Sequence, residues 1–199
     1  AGDRFYTLID KEFLPFLLPM LNRTMDQVEK IIIYGATSTS TQLALALEEN
    51  MRDVCIIEPS REKADRAAYQ LTRTVVQHGS GTDMDLFNEI NMKDADFFLA
   101  LSHDDENNIL SALLAKKYGA KRALVITNDP EYLPILDSIG MDITINPRLI
   151  TVSAILKHLR KGQVMSVFKL IEDAEVMEIG VQEDSSIANK QIGKINFPK

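Results

Sequence analysis

The sequence predicts an α/β protein built on a doubly wound, six-stranded parallel sheet. Short β-branched apolar runs alternate with longer amphipathic segments, which is typical of parallel strands joined by helices. Several of the runs are apolar throughout, as expected for strands covered on both faces. The predicted strands are Lys30–Tyr34, Asp53–Glu58, Thr74–His78, Asp96–Leu101, Ala123–Thr127 and Asp142–Ile145.

Five amphipathic segments lie between the strands and a sixth, Pro147–Lys161, follows the last one. This order predicts two βαβαβ halves and therefore a Rossmann-like sheet. Apolar residues at helical spacing line one face of three of these segments, and the sixth segment leads out of the sheet. These residues are Leu43, Ala46 and Leu47 in the first helix, Leu110, Leu113 and Leu114 in the fourth, and Leu149, Val152, Leu156 and Leu159 in the sixth.

We expect three parts along the chain: a leader at residues 1–28, the Rossmann-like domain at 29–161 and a second module at 162–199. Val164–Ile171 and Glu175–Val181 are extended runs that predict a hairpin at the start of that module. About 37 residues follow Gly162, too few for an ordinary independent core. We therefore expect a truncated module, and the Ala-Gly start without Met indicates an excised fragment.

Composition excludes several classes of protein. The net charge of −7 and the pI near 5.0 argue against a nucleic-acid partner, because phosphate binding needs clustered Lys and Arg. No stretch reaches the roughly 18 apolar residues that span a bilayer. The single cysteine, Cys55, lies in an apolar run and is predicted to be a buried strand residue.

The first predicted strand ends in a loop at the expected ligand crevice. A dinucleotide fingerprint would place glycines at positions 35, 37 and 40, and only the first is present. The branched side chain at position 37 obstructs close approach of a pyrophosphate, although the hydroxyls and first-turn amides still offer donors to phosphate. Ser and Thr also cap helices, so spacing alone leaves open a ligand site and a collapsed, empty loop. The loop reads Gly35, Ala36, Thr37, Ser38, Thr39 and Ser40.

Glu58 occupies the acidic position of the same fingerprint. It ends the second strand, 23 residues after Gly35, where an acidic residue accepts hydrogen bonds from a ribose diol. Its charge would repel a 2′-phosphate. The sequence therefore favours the ribose of NAD or adenosine, and we expect Thr37 to weaken dinucleotide binding while Glu58 preserves adenosine recognition.

Two further loops follow strands at the same edge. Gly79, Ser80, Gly81, Thr82 and Asp83 suit a turn beside the adenine end of a nucleotide, although Thr82 or Asp83 is also explained as a helix cap.

The third loop begins at Leu101 and Ser102 and continues into the acidic cluster Asp104–Glu106. A helix dipole stabilises such a cluster without any function, and a divalent cation is the alternative.

Catalytic signatures do not emerge from the sequence. His78, His103 and His158 lie on unrelated elements without metal-ligand spacing. No Tyr precedes a Lys by four residues, and Gly79-Ser80-Gly81 is not a hydrolase nucleophile elbow. Since no positioned acid or base stands beside the crevice, we predict a protein that is not an enzyme and holds no metal. A fragment of an NAD-dependent oxidoreductase is the less favoured alternative, because no substrate domain fits after Gly162.

Five motifs, in this order and spacing, resemble the RCK or KTN family, the regulatory domains of potassium channels and transporters, and most closely its TrkA members. The resemblance covers Lys30 to about Lys161, and the tail is similar to the first half of the TrkA-C domain. This chain departs from the family at Ser80, where an aspartate is common. The motifs are Val76–Asp83, Ala100–Ile109, Leu113–Lys117, Asn128–Tyr132 and Ile145–Arg148.

The resemblance implies a cytoplasmic regulatory subunit of a potassium transport system, peripheral on the inner face of the membrane through its partner. Such domains dimerise and assemble into rings below a TrkH-like pore subunit. They bind NAD(H) or ADP/ATP, and the ligand biases the ring between shapes that favour or disfavour ion flux. By family position, Gly35–Thr39 would face the phosphates, Glu58 the ribose, Gly79–Asp83 the adenine, and Leu101 and Ser102 the inner end of the crevice. The degraded glycine loop leaves one alternative open, a structural ring subunit whose crevice is empty.

Overall fold

The computed structural model describes residues 9–21, 28–50, 53–159, 164–171, 174–179, 181, 185–188 and 190–195. The chain forms two compact units, one of Ala1–Thr127 with Glu131–Ile145 and one of Asn128–Pro130 with Asn146–Lys199. The domain boundaries expected from the sequence, after residues 28 and 161, stay predictions.

The first unit contains a six-stranded sheet in the order β3-β2-β1-β4-β5-β6, and every neighbouring pair is parallel. The predicted fold class is therefore confirmed. Each predicted strand is present; the first two match the prediction in full, and the other four differ from it by one residue at one or both ends. The strands are β1 Lys30–Tyr34, β2 Asp53–Glu58, β3 Val75–His78, β4 Phe97–Ala100, β5 Arg122–Ile126 and β6 Ile143–Ile145.

The order of the strands places a crossover between β1 and β4. The chain runs outward from β1 through β2 to β3 and returns on the other side of β1 as β4. Tyr34 at the end of β1 is paired with Ile57 of β2 and with Ala100 of β4, so the three strands end side by side. Ligands of doubly wound sheets bind at this position, beyond the carboxyl ends of the strands.

Four of the described helices in this unit begin at a polar side chain that caps them. Thr37, Ser60, Asp83 and Asp104 each accept a hydrogen bond from an amide in the first turn of the helix that follows. Short 3₁₀ turns occur at Lys11–Phe13 and Met92–Asp94. The helices of this unit are α1 Leu14–Met20, α2 Ser38–Glu48, α3 Arg61–Gln70, α4 Met84–Glu89, α5 Asp105–Lys117 and α6 Tyr132–Ser138.

The core has two layers, one on each face of the sheet. On β1, Ile32 and Tyr34 belong to one layer, whereas Ile31 and Ile33 belong to the other. Cys55 of β2 is buried as predicted, and burial raises the pKa of its thiol to about 12. The thiol is therefore protonated at neutral pH.

The fully buried faces of α2 and α5 are made of small and polar residues. The sheet side of α2 consists of Ser40, Thr41, Ala44 and Glu48, and that of α5 consists of Asn108, Ser111, Ala112 and Ala115. The larger side chains of Leu43, Leu47 and Leu114 pack against the same two core layers. Leu110 and Leu113 are exposed, Ala46 is exposed, and Leu43, Leu47 and Leu114 are half-buried.

The second unit contains α7 Pro147–Leu159, the strands β7 Val164–Ile171 and β8 Ala174–Ile179, and a 3₁₀ turn at Ile192–Lys194. β7 and β8 pair antiparallel, which confirms the predicted hairpin. The second strand begins one residue earlier and ends at Ile179. Leu149, Val152 and Leu156 of α7 are exposed, while the side chain of Leu159 and the predicted helix end at Lys161 lie outside the described residues.

Within the part of the chain that the structure describes, none of the helices combines the length and the apolar character needed to cross a membrane.

Candidate functional site

The loop between β1 and α2 leaves the sheet through Gly35. Its φ of +94° lies in the left-handed region, and its amide donates to the carbonyl of Ile57 at 2.8 Å. A Cβ at position 35 would lie 2.7 Å from Cα of Ser102, so the close approach of the loop after β4 is a second reason for glycine at this position. The tight turn predicted for this glycine is present, and it brings the first and third loops into contact.

Glu58 stands at the end of β2 with its carboxylate turned toward the loop. The residue is buried, with Oε2 2.6 Å from the amide nitrogen of Ala36 and Oε1 2.8 Å from that of Ser60. These two amides donate to the carboxylate, which can accept about four hydrogen bonds. Glu58 thus holds the loop in place and retains capacity to accept hydrogen bonds from a ligand.

Thr37 occupies the second glycine position of the fingerprint and closes the gap between two loops. Its Oγ1 accepts from the amide of Ser40 at 3.2 Å and donates to the carbonyl of Leu101 at 3.2 Å. The side chain is half-buried. Thr37 therefore caps α2 and ties the β1–α2 loop to the β4–α5 loop. Ser38 and Thr39 are exposed in the first turn of the same helix.

The loop after β3 packs on β1 through Gly81. A Cβ on Gly81 would lie 2.6 Å from the ring of Tyr34, so only glycine fits over this aromatic side chain. Burial raises the pKa of the Tyr34 hydroxyl, and the charges of Asp104 and Glu58 raise it further. The phenol is therefore neutral beside two carboxylates.

The remaining residues of that loop make local hydrogen bonds. The hydroxyls of Ser80 and Thr82 are 2.9 Å apart, and the amide of Gly79 donates to the backbone carbonyl of Glu58 at 3.0 Å. Asp83 accepts from the amides of Asp85 and Leu86, which confirms that it caps α4.

The loop after β4 is fixed by Asn108, which the sequence did not single out as a site residue. Asn108 is fully buried; its Oδ1 accepts from the amide and the hydroxyl of Ser102, and its Nδ2 donates to the carbonyls of Ser102 and Ile126. This single amide joins β4, α5 and β5 and holds Ser102 against Gly35. A buried asparagine in the first turn of a helix resembles an exposed one in sequence, so periodicity could not reveal it.

The acidic cluster on the same loop is engaged in hydrogen bonds. The amide and side chain of Asn107 donate to Asp104 and lower the pKa of its carboxyl. Asp105 accepts from the hydroxyl of Thr127 at 3.0 Å, and Glu106 from that of Tyr132 at 2.6 Å. Among the residues described by the structure, no group of His, Cys, Asp and Glu could hold a metal ion.

The sequence-predicted residues therefore lie around one edge of the sheet. Gly35, Ala36 and Thr37 contact Glu58, Leu101 and Ser102 directly, and the loop of Gly79–Asp83 joins them through Gly81 and Tyr34. Their role in binding a ligand stays a prediction.

Comparison with known families decides what kind of domain this is. The model of the TrkA-N domain family matches residues 31–147, more than half of the chain. The chain belongs to the TrkA-N family. The resemblance to TrkA and the RCK/KTN domains is thereby confirmed.

Relatives of known name match this TrkA-N chain over its full length. The Trk system potassium uptake protein TrkA of Haemophilus influenzae is 34% identical over 202 residues, covering 100% of this chain and 44% of that protein. The protein of the same name from Halomonas elongata is 32% identical, with the same coverage. The chain thus spans less than half the length of these relatives.

Solved structures share the fold of the TrkA-N domain. The TrkA-N domain of the inner membrane protein YbaL from Escherichia coli has a TM-score of 0.59 at 11% identity and covers 68% of this chain and 100% of that one. The GsuK channel bound to NAD has a TM-score of 0.58 at 16% identity, covering 79% of this chain and 29% of that one. Similarity at this level of identity shows the fold alone.

Proposed function

We propose that this chain is a nucleotide-responsive regulatory part of a potassium uptake system, and that an adenine nucleotide binds at the crossover between β1 and β4. The observation that carries the proposal is the position of Glu58, buried at the end of β2 with its carboxylate on the amide of Ala36. A carboxylate placed there can accept the hydroxyls of a ribose, as in other doubly wound sheets.

The ligand class follows from the charge and from named relatives. Glu58 repels a 2′-phosphate and so favours NAD(H), ADP or ATP over their 2′-phosphorylated counterparts. One protein of the same fold is described as bound to NAD and another, the Kef C-terminal domain of Shewanella denitrificans, as bound to AMP. Because Thr37 ties the two loops together, we expect ADP or ATP to bind more tightly than NAD.

The transport role rests on the full-length matches. Both relatives are named potassium uptake proteins, and neither name describes an enzyme. We accordingly place the chain in the cytoplasm, against a TrkH-like membrane subunit. A bound nucleotide would regulate that partner by binding two shapes of the assembly with unequal affinity.

Exposed apolar residues support assembly with further copies. In the first unit, Leu110 and Leu113 of α5, Ile135 of α6 and Ile139, which follows α6, are exposed by 39% to 52%. In the second unit, α7 exposes Leu149, Ile150, Val152, Ile155 and Leu156. Clusters of this kind mark protein–protein interfaces more often than chance. A homo-oligomer, a dimer that assembles into a ring, would cover them.

A structural ring subunit with an empty crevice is the second candidate. The observation that favours it is the hydrogen bond from Thr37 to the carbonyl of Leu101, because it closes the gap that a pyrophosphate would enter.

Calorimetric titration with NAD, NADH, ADP and ATP separates the two candidates. The proposal predicts saturable binding of ADP or ATP, weakened about tenfold in Glu58→Gln and unchanged in Glu49→Gln, an exposed neighbour of the helix end. Heat signals indistinguishable from dilution for all four nucleotides would refute the nucleotide site and support the structural ring subunit. Submicromolar NAD binding would show that Thr37 is no obstacle.

A further inference from the structure

A second concavity of the first unit lies between α2 and α3, beside the β1–α2 loop. We call it the α2–α3 pocket. Its volume is about 330 Å³, at the lower end of the range for small-molecule sites. Ala36 and Thr37 form one wall, so the pocket adjoins the loop that Glu58 holds. The polar residues on its other walls are Ser38, Thr41, Gln42, Lys63, Arg66, Gln70 and His103.

The charge of this pocket is opposite to that of the chain. Lys63 and Arg66 line it, and none of the described residues on its walls carries a carboxylate, although the net charge of the chain is −7. Lys63 makes no ion pair within the described part of the chain. Arg66 pairs with Glu62 one turn away on the same exposed helix face, a contact of small energetic value. Two exposed cations therefore border the same space, and Glu62 is the one carboxylate among the described residues that pairs with either of them.

The arrangement of these groups follows from helix geometry. Lys63, Arg66 and Gln70 recur at spacings of three and four residues and so lie on one face of α3. Ser38 and Gln42 are four residues apart on α2 and face them across the pocket. Ammonium, guanidinium and neutral amide donors around one cavity match a phosphate chain, since arginine and lysine are the common phosphate ligands in proteins.

We infer that the α2–α3 pocket binds a diphosphate or triphosphate group through Lys63 and Arg66. The inference rests on the proposed nucleotide site where the phosphates belong to ADP or ATP, and inorganic pyrophosphate is the other source of the same chemistry. Ala36 links the two regions, because its amide binds Glu58 and its side chain lines the pocket. Because Thr37 closes the gap between the β1–α2 and β4–α5 loops, we expect the phosphates to lie on the α2–α3 side of the β1–α2 loop.

Titration of the 199-residue chain with ADP, adenosine and inorganic pyrophosphate tests the inference. The variant Lys63→Ala/Arg66→Ala removes both cations from the pocket. The control Arg61→Ala/Lys117→Ala removes the same charge from exposed positions, one beside Asp65 on α3 and one on α5. We expect the affinity for ADP and pyrophosphate to fall about tenfold or more in the pocket variant and less than about twofold in the control, because direct phosphate contacts outweigh long-range charge effects. Adenosine affinity stays unchanged in both.

The outcomes separate this inference from the proposed function. Adenosine binding as tightly as ADP, or ADP binding that both double variants weaken equally, overturns the inference and leaves the nucleotide site. Pyrophosphate binding that only the pocket variant loses, with no nucleotide bound at all, supports the inference and refutes the nucleotide site. Failure of all three probes to bind overturns both.

Discussion

Two buried glutamates of the first unit, one on a helix and one on a strand, differ in how many hydrogen bonds their carboxylates accept. Glu48, near the end of α2, accepts from the amides of Thr72, Arg73 and Thr74 and from the hydroxyl of Thr72. Glu58, at the end of β2, accepts from the amides of Ala36 and Ser60. Four donor groups saturate one carboxylate, whereas two leave the other with free capacity.

The number of hydrogen bonds that a buried carboxylate already accepts distinguishes a purely structural carboxylate from one that could bind a ligand. Glu48 holds the α3–β3 connection to α2, and the guanidinium of Arg73 also donates to its backbone carbonyl. The carboxylate of Glu48 therefore has no free capacity to accept a hydrogen bond from a ligand. Glu58 stands at the topological crossover, where a doubly wound sheet binds ligands. Unsatisfied capacity at that location, rather than burial alone, is the reason that we propose Glu58 as a ligand-binding residue.

The largest effect is expected when each carboxylate becomes an amide. Glu48→Gln turns an NH₂ group toward amide donors, and we expect it to lower the free energy of unfolding by about 3 kcal/mol. Glu58→Gln has half as many partners, and we expect a loss of about 1.5 kcal/mol. Urea denaturation measures both values. Glu49→Gln, at an exposed position, is the control and should stay within about 0.5 kcal/mol of the parent chain. Equal losses in Glu48→Gln and Glu58→Gln would remove the distinction.

The pH dependence of unfolding gives a second test of the role of Glu48. Burial raises the pKa of Glu48, but the amide hydrogen bonds from Arg73, Thr74 and Thr72 outweigh it and hold the value at about 2, below the ordinary 4.5. The unfolded chain therefore takes up this proton first, and the stability contributed by Glu48 is lost as the pH falls from 4.5 toward about 2.

Unfolding free energies measured across that range check the sign. The parent chain should lose stability more steeply than Glu48→Gln. Asp96 supplies a residual slope in both, because its hydrogen bond with Lys121 and those from the amides of Lys30 and Glu29 lower its pKa to about 2. A slope that Glu48→Gln does not reduce would show that this carboxylate is not held ionised by its amides.

The smallest effect concerns the loop that Glu58 supports. Thr37→Gly removes the branched side chain and its hydrogen bond to Leu101, and we expect NAD to bind roughly fivefold more tightly, a gain of about 1 kcal/mol. Thr39→Gly, in the next position but one, controls for added backbone freedom at the helix start. NAD affinity that rises equally in both variants would assign the gain to flexibility and not to the side chain of Thr37.

Much of the fold was predictable because strands covered on both faces need continuous apolar sequence. The runs at Lys30–Tyr34 and Asp53–Glu58 match β1 and β2 in full. The helix faces were not predictable in the same way. α5 packs on the sheet through Ser111, Ala112 and Ala115, whereas periodicity gave equal weight to Leu110 and Leu113, which are exposed.

The site was predictable in position but not in detail. The fingerprint spacing located Gly35 and Glu58, since both follow directly from where the strands end. The partners of Glu58 are backbone amides, and loop conformation, which side-chain identity encodes weakly, decides where those amides point. Asn108 and Glu48 were missed for a related reason. Each is a polar helix residue whose burial depends on donors and acceptors far away in the sequence.

The central claim, that the spare capacity of Glu58 serves a ribose, is tested most directly by a crystal structure of the chain grown with saturating ADP. We expect density for the nucleotide with both ribose hydroxyls within hydrogen-bond distance of the Glu58 carboxylate, while Glu48 keeps its four donors. An empty crevice at saturating ADP, or a nucleotide bound elsewhere with Glu58 contacting only Ala36 and Ser60, would contradict it.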